Sequence, residues 1–170
     1  SDNENRVRLV ELGGAETDPG SYMFRKGQDE VLKPYVENGL VQVIANPWVE
    51  NWDRTNAFNI MEDLLVSQND RIDAVVATND GTALGALQAL NAHDKKIPIS
   101  GQDASAEGSN SIVQGQLTLT ILKDPNKFIA LTMDVVDKLA KGEENPDLQK
   151  ISLVELTGDD TLAGDVYVAF

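Results

Sequence analysis

The feature of this sequence that most constrains its fold is an alternation of strand-like and helix-like hydrophobic patterns, repeated five times along 170 residues. In each repeat an aliphatic, β-branched run is followed by a segment whose apolar residues recur at helical spacing. These five runs occupy 7–12, 40–45, 72–77, 97–101 and 117–122, and a sixth run, at 151–156, is followed by a polar tail. Alternation of this kind is typical of a parallel sheet covered by helices on both faces. We therefore predict a doubly wound α/β fold with a mostly parallel sheet.

Helices are predicted between these strands. They cover 21–38, a segment around 57–65, 81–91, 106–114 and 125–141. Asp53 is the expected N-cap of the second helix, and Pro34 is expected to kink or tighten the end of the first. Open sheets of this class commonly run in the order 2-1-3-4-5 and bind ligands beyond the carboxyl ends of their strands. The residues that follow each strand are therefore the first candidates for function.

Composition excludes several functional classes. The chain has 28 Asp and Glu against 14 Lys and Arg, a net charge of −14, which disfavours nucleic acid and anionic membrane surfaces as partners. It contains no Cys and one histidine, His93, so thiolate chemistry and paired-histidine metal sites are excluded. His93 lies in a polar stretch and is expected to be exposed to solvent. No uninterrupted apolar run has the roughly 18 residues of a membrane helix, so direct membrane insertion is not expected.

Five residues follow the five predicted strands of the repeating pattern. They are Asp18, Trp48, Asn79, Asp103 and Lys123. Together they suit a neutral polyol, because carboxylates, an amide and an ammonium can hydrogen-bond hydroxyl groups while an indole packs on the C–H face of a sugar ring. The competing interpretation is that loops at strand ends are polar in any α/β protein.

Four of the five candidates also have a structural alternative. Asp103 could cap the following helix, Asn79 lies in a turn-forming Asn-Asp-Gly sequence, and Lys123 could be a solvated loop residue. Trp48 and the nearby Trp52 could both be core aromatics, an alternative that we favour for Trp52 and not for Trp48.

Other motifs carry no catalytic, metal or cofactor signal. Gly13-Gly14-Ala15 follows a strand but matches neither a dinucleotide-binding nor a phosphate-loop pattern. The acidic stretch 159–165 lacks the ligand spacing of a calcium loop. A nucleophile paired with a base is absent as well, so we predict neither catalysis, nor a metal site, nor a cofactor.

Several longer segments indicate a function more specifically than these single residues and short motifs do. They are GG at 13–14 with TD at 17–18, FRKGQ at 24–28, VLKPYV at 31–36, WVENW at 48–52, IDAVVATND at 72–80, GALQAL at 85–90 and ISGQDA at 99–104. In these segments the chain resembles the type I periplasmic solute-binding proteins for monosaccharides, and among them most closely the D-xylose-binding group of ABC importers. The resemblance covers about residues 7 to 145.

The resemblance implies that Asp18, Trp48, Asn79, Asp103 and Lys123 contact a monosaccharide, D-xylose or a similar pentose. One departure concerns Pro19-Gly20, which stands where the family usually has two Asn residues, the second a ligand contact. Because one amide is lost, the affinity or the sugar preference is expected to differ.

The resemblance also implies that this chain is the C-terminal lobe of a two-lobed protein. Residues 6–145 would form the sugar-binding lobe, and 146–170, a strand followed by a polar tail with an apolar end, would cross the hinge and pack on an N-terminal lobe outside this chain. A signal peptide would also lie outside it, and the location would be the periplasm or the cell surface of a lipid-anchored protein. The expected partners are an ABC permease or a membrane sensor.

The alternative that we retain is the effector-binding domain of a sugar-responsive transcription regulator, which shares the fold.

Overall fold

The computed structural model describes residues 6–143, 148–152 and 165–169. Within them the strands are β1 (Val7–Leu12), β2 (Val41–Ala45), β3 (Ala74–Ala77), β4 (Ile99–Gln102), β5 (Leu119–Ile121), β6 (Leu148–Ser152) and β7 (Asp165–Ala169). The helices are α1 (Pro19–Glu37), α2 (Arg54–Ser67), α3 (Asp80–Ala92), α4 (Ala106–Val113) and α5 (Pro125–Ala140), with a 3-10 turn at Glu50–Trp52. Pro34 lies in the last turn of α1. Asp53 caps α2 as predicted, since its Oδ1 accepts a hydrogen bond from the Asn56 amide at 2.9 Å.

The chain forms two compact units, Ser1–Leu122 and Lys123–Phe170. In the first, five strands form one sheet in the order β2-β1-β3-β4-β5. Every neighbouring pair is parallel. The predicted fold class and strand order are therefore confirmed.

The hydrophobic core of the first unit lies between one face of the sheet and helices α2 and α3. Val10 and Leu12 of β1 project to this face with Val75 of β3, because alternate residues of a strand point to the same side. Leu90 of α3 and Met61 of α2 meet them and are fully buried. On the opposite face Glu11 lies near Arg25 of α1. The sheet thus has helices on both faces, as a doubly wound fold requires.

The second unit contains α5 and a two-stranded ladder. Asp124 caps α5 through a hydrogen bond from the Asn126 amide. Strand β6 pairs antiparallel with β7, with Lys150 opposite Tyr167. The sequence analysis assigned no strand to 165–169 and is wrong there, because the short apolar end of an acidic segment shows no alternation that marks a strand. Residues 153–156 of the predicted last strand lie outside the described residues, and the division at 145–146 stays a prediction.

No helix in the described part of the chain is both long enough and apolar enough to cross a membrane.

His93 is not a solvated loop residue, so the sequence-based expectation for it is wrong. It is the C-cap of α3, and its side chain is only 22% exposed. Nδ1 lies 2.8 Å from Asp70 Oδ1, and Nε2 lies 3.3 Å from Glu62 Oε2. Partial burial opposes protonation of the ring, but the two carboxylates outweigh it and raise the pKa of His93 above its usual range.

We expect this contact to make stability depend on pH in a defined direction. Because the folded-state pKa is raised, protonated His93 stabilises the fold at pH values below about 6.5, the unfolded pKa, and this contribution is lost as the pH rises through the folded pKa. The difference in melting temperature between the wild type and His93→Gln should therefore shrink from pH 6 towards pH 9. Thermal melts at several pH values measure it, and a difference that stays constant over this range would contradict the paired geometry.

Candidate functional site

The carboxyl ends of parallel strands lie along one edge of the sheet, and four of the five predicted site residues lie there. Asp18 follows β1, Trp48 follows β2, Asn79 follows β3 and Asp103 follows β4. Adjacent loops are joined by main-chain hydrogen bonds. Gly13 donates to Pro47, and Val49 donates to Gly14. Lys123 begins the second unit, so its place in the site stays a prediction.

Trp48 is held by two residues of α1. The Arg25 guanidinium carbon lies 3.4 Å from the centre of the Trp48 ring, a cation–π contact. The same guanidinium donates to the main-chain oxygen of Asn46 at 2.8 Å and to that of Pro47 at 3.4 Å. The Tyr22 ring packs against Trp48 with centroids 4.8 Å apart. The indole is therefore fixed in orientation at the strand-end edge and is not part of the main core.

Trp52 belongs to the same edge, contrary to the interpretation of this residue as a core aromatic. It is partly exposed, and its ring meets Phe24 edge-on with centroids 6.3 Å apart. A Cβ built on Gly14 would lie 2.2 Å from two carbons of the Trp52 ring. The ring therefore lies directly over the loop between β1 and α1, residues 13–18, which is the first loop of the site.

Gly13 and Gly14 provide the space that both indoles require. A Cβ on Gly13 would lie 2.5 Å from Trp48 Cε3 and 2.6 Å from Arg25 Nη2. Real Cβ atoms do not approach other atoms so closely, so only glycine fits at either position without a displacement. The glycine pair, which matched no phosphate-binding pattern, is explained by the close approach of two aromatic rings.

Asp18 and Asn79 are helix caps. Asp18 Oδ1 accepts from the Gly20 amide at 2.8 Å at the start of α1. Asn79 Oδ1 accepts from the Thr82 amide at 2.7 Å and from the Thr82 hydroxyl at 2.8 Å at the start of α3. The structural alternative for Asn79 is thus present in the structure. Asp18 Oδ2 and Asn79 Nδ2 lie outside these capping bonds, so capping and ligand contact are compatible.

Asp103 does not cap α4. The cap is Ser105, whose hydroxyl oxygen accepts from the Gly108 amide at 3.0 Å. Asp103 is exposed and has φ 103°, and Ala104 has φ 51°. Both lie in the left-handed region that side chains other than glycine rarely adopt. The turn after β4 therefore presents Asp103 in an unusual backbone conformation.

Arg25 lies among carboxylates near the site. Burial raises the pKa of Glu11, Asp29 raises it further, and Arg25 opposes both. Burial also lowers the pKa of Arg25, and the negative charges of Glu11 and, to a lesser extent, Asp29 act to raise it. The guanidinium nevertheless stays cationic, because the pKa of arginine is far above neutrality. The cation that supports Trp48 is thus accompanied by carboxylates.

These side chains can bind a polyhydroxyl compound. They offer carboxylate acceptors at Asp18 and Asp103, an amide at Asn79 and a fixed indole at Trp48. Among the described residues there is no group of three or more His, Asp or Glu that could hold a metal ion. Sequence reasoning missed Tyr22, Arg25 and Trp52 here, although the two adjacent glycines indicated that large side chains approach the first loop.

Comparison with known proteins defines the class. A family model described as a periplasmic binding protein domain matches residues 3–144. The chain belongs to this family, and the resemblance read from the sequence is confirmed.

Particular relatives are named as sugar-binding or solute-binding proteins. The chain is 42% identical over 135 residues to the D-xylose-binding periplasmic protein of Escherichia coli, a match covering 78% of this chain and 41% of that protein. It is 39% identical to the protein of the same name from Haemophilus influenzae, with the same coverage of both chains. An ABC transporter solute-binding protein from Bacillus halodurans, solved with bound myo-inositol, has a TM-score of 0.70 at 28% identity, over 83% of this chain and 48% of that one. The chain thus spans about two fifths of the length of the curated relatives it matches.

Proposed function

We propose that this chain is the C-terminal, sugar-binding lobe of an extracytoplasmic monosaccharide-binding protein that serves an ABC importer or a membrane sensor. The observation that carries the proposal is the position of Asp18, Trp48, Asn79 and Asp103 at the carboxyl ends of four adjacent strands. That edge is where folds of this class bind ligands. D-xylose or a similar pentose is the proposed ligand, since the relatives with 39–42% identity are named for D-xylose.

The proposed activity is binding without catalysis. In the complete protein the sugar would be captured between this lobe and an N-terminal lobe, and contacts to both would favour the closed form. An effector domain of a transcription regulator is not favoured, because these relatives are periplasmic and solute-binding proteins. A single lobe supplies only one wall of such a site, so the lobe alone should bind in the millimolar range rather than the micromolar range, a loss of about 4 kcal/mol.

A titration of the 170-residue chain with sugars tests the proposal. Two-dimensional amide NMR spectra should shift at residues of the strand-end loops when D-xylose is added at tens of millimolar. Asp103→Asn should weaken binding about tenfold, because a hydrogen bond to a charged acceptor is replaced by a weaker neutral one. Asparagine tolerates the left-handed backbone, so the turn is expected to persist.

Asp94→Asn is the matched control for this substitution. Asp94 is also an exposed aspartate with positive φ, at 52°, but it follows α3 at the opposite end of that helix from Asn79. Its substitution should leave the titration unchanged. If pentoses and hexoses at 200 mM shift no signal of the wild type, or if both variants weaken binding equally, the proposal is wrong.

A further inference from the structure

A buried carboxylate next to the proposed site connects two of its loops. Asp80 is the first residue of α3 and is only 2% exposed. Its Oδ2 accepts from the Ser105 amide at 2.7 Å, and its Oδ1 accepts from the Thr120 hydroxyl at 2.6 Å. Thr120 Oγ1 in turn accepts from the Ala104 amide at 3.1 Å. One side chain after β3 therefore binds the loop after β4 and strand β5 together.

The fold leaves space for this carboxylate at two glycines. A Cβ on Gly101 would lie 2.4 Å from Asp80 Oδ1, and a Cβ on Gly108 would lie 2.4 Å from Asp80 Oδ2. The carboxylate also lies in the first turn of α3, where the helix dipole favours a negative charge. Asp80 is thus enclosed by main chain on two sides, and its position is tightly defined.

The turn held by Asp80 is the one that carries Asp103. Left-handed backbone at non-glycine residues persists only where surrounding contacts impose it. Here three consecutive amides are held. The Asp103 amide donates to Ile121 O at 2.8 Å, the Ala104 amide donates to Thr120 and the Ser105 amide donates to Asp80. Two of these three anchors depend on Asp80, directly or through Thr120.

We propose that Asp80 is a positioning residue for the sugar-binding carboxylate, acting through Thr120 and Ser105 to hold the turn that presents Asp103. This inference rests on the proposed function only for its effect on affinity. The effect on the turn itself is independent of any ligand. A binding group held loosely by its supporting residues loses much of its contribution, and a displacement of about 1 Å is enough.

Substitutions at Asp80 and Thr120 separate positioning from general stability. In Asp80→Asn the amide can still accept from Ser105 and can donate to Thr120, so affinity for D-xylose should stay within about threefold of the wild type. Asp80→Ala removes both bonds and should weaken binding about tenfold or more, with faster hydrogen exchange at Asp103, Ala104 and Ser105. Thr120→Val removes the hydroxyl and should also weaken binding and speed exchange, whereas Thr120→Ser keeps the hydroxyl and should do neither. This pair of variants tests the inference if Asp80→Ala fails to fold.

Two further comparisons decide the result. In an Asp103→Asn background Asp80→Ala should change affinity by less than about threefold, because residues acting through one another are not additive. Ile72→Val, a core substitution at a site 1% exposed, should lower stability without changing the affinity of the folded protein. The inference would be overturned if the effects of Asp80→Ala and Asp103→Asn on affinity were fully additive. It would also be overturned if amide hydrogen exchange at residues 103–105 were unchanged in both Asp80→Ala and Thr120→Val. If the wild type binds no sugar, the proposed function fails, while the exchange measurement still confirms or refutes the role of Asp80 in the turn.

Discussion

Replacing Gly85 by alanine is expected to lower the free energy of unfolding by about 2–3 kcal/mol. Gly85 lies on α3 where it packs against α2, and an added Cβ would lie 2.3 Å from the main-chain oxygen of Arg54 and 2.9 Å from Ala57 Cβ. A main-chain atom cannot rotate away, so the two helices must separate and disturb the core between them. Urea denaturation followed by tryptophan fluorescence measures the effect, since Trp48 and Trp52 both belong to the first unit.

Gly27→Ala is the matched control. Gly27 lies inside α1, and a Cβ there would meet nothing within 4 Å. Alanine favours helix over glycine, so this variant should be more stable by about 0.5–1 kcal/mol. The two substitutions add the same methyl group to a helix. If they change the free energy of unfolding in opposite directions, the loss in Gly85→Ala is due to the close approach of α2 and α3. Equal stabilisation by both would show that these helices are not packed as described.

Much of the fold could be predicted because it depends on local patterns. Continuous aliphatic runs such as Val75 to Ala77 mark strands buried on both faces, and their alternation with helices restricts the sheet to a few topologies. The ladder between β6 and β7 could not be predicted in the same way. Strand β7 is a short apolar run at the end of an acidic segment, and such a run has no periodicity that distinguishes a strand from a tail.

The positions of the candidate site residues at the edge of the sheet were predictable to a similar depth. Asp18, Trp48, Asn79 and Asp103 could be located because the end of a parallel strand fixes where the next residues lie. The supporting residues could not. Arg25 on a helix resembles any solvated cation in the sequence, and its contact with Trp48 depends on the space left at Gly13.

Asp80 illustrates the same limit for a buried charge. Asn79-Asp80-Gly81 has the composition of a turn, and a carboxylate in a turn is usually solvated. Its burial depends on Gly101 and Gly108, which belong to β4 and α4. Only the assembled sheet brings these glycines to Asp80, so no local pattern could have assigned it a role.

The first loop of the site should be as sensitive to an added methyl group as the contact between α2 and α3. Gly14→Ala would place a methyl group 2.2 Å from the Trp52 ring and 2.5 Å from the fully buried Ser21 hydroxyl. Overpacking of this kind is expected to cost about 2 kcal/mol of stability. The Trp52 ring is partly exposed whereas Ser21 is buried, so we expect Trp52 to move away from Phe24 and to become more exposed. In a Trp48→Phe background its emission maximum should shift to longer wavelength.

The same variant also tests the link between this loop and ligand binding. The Val49 amide donates to Gly14 O at 3.0 Å, so a displaced first loop alters the segment that carries Trp48. With Trp48 present, Gly14→Ala should weaken D-xylose binding about tenfold, whereas Gly27→Ala should leave it unchanged. A Gly14→Ala protein with wild-type emission and wild-type affinity would contradict the close packing of Trp52 on the loop. A shifted emission with unchanged affinity would instead show that Trp52 can move without disturbing Trp48, and that the two indoles act independently at this edge of the sheet.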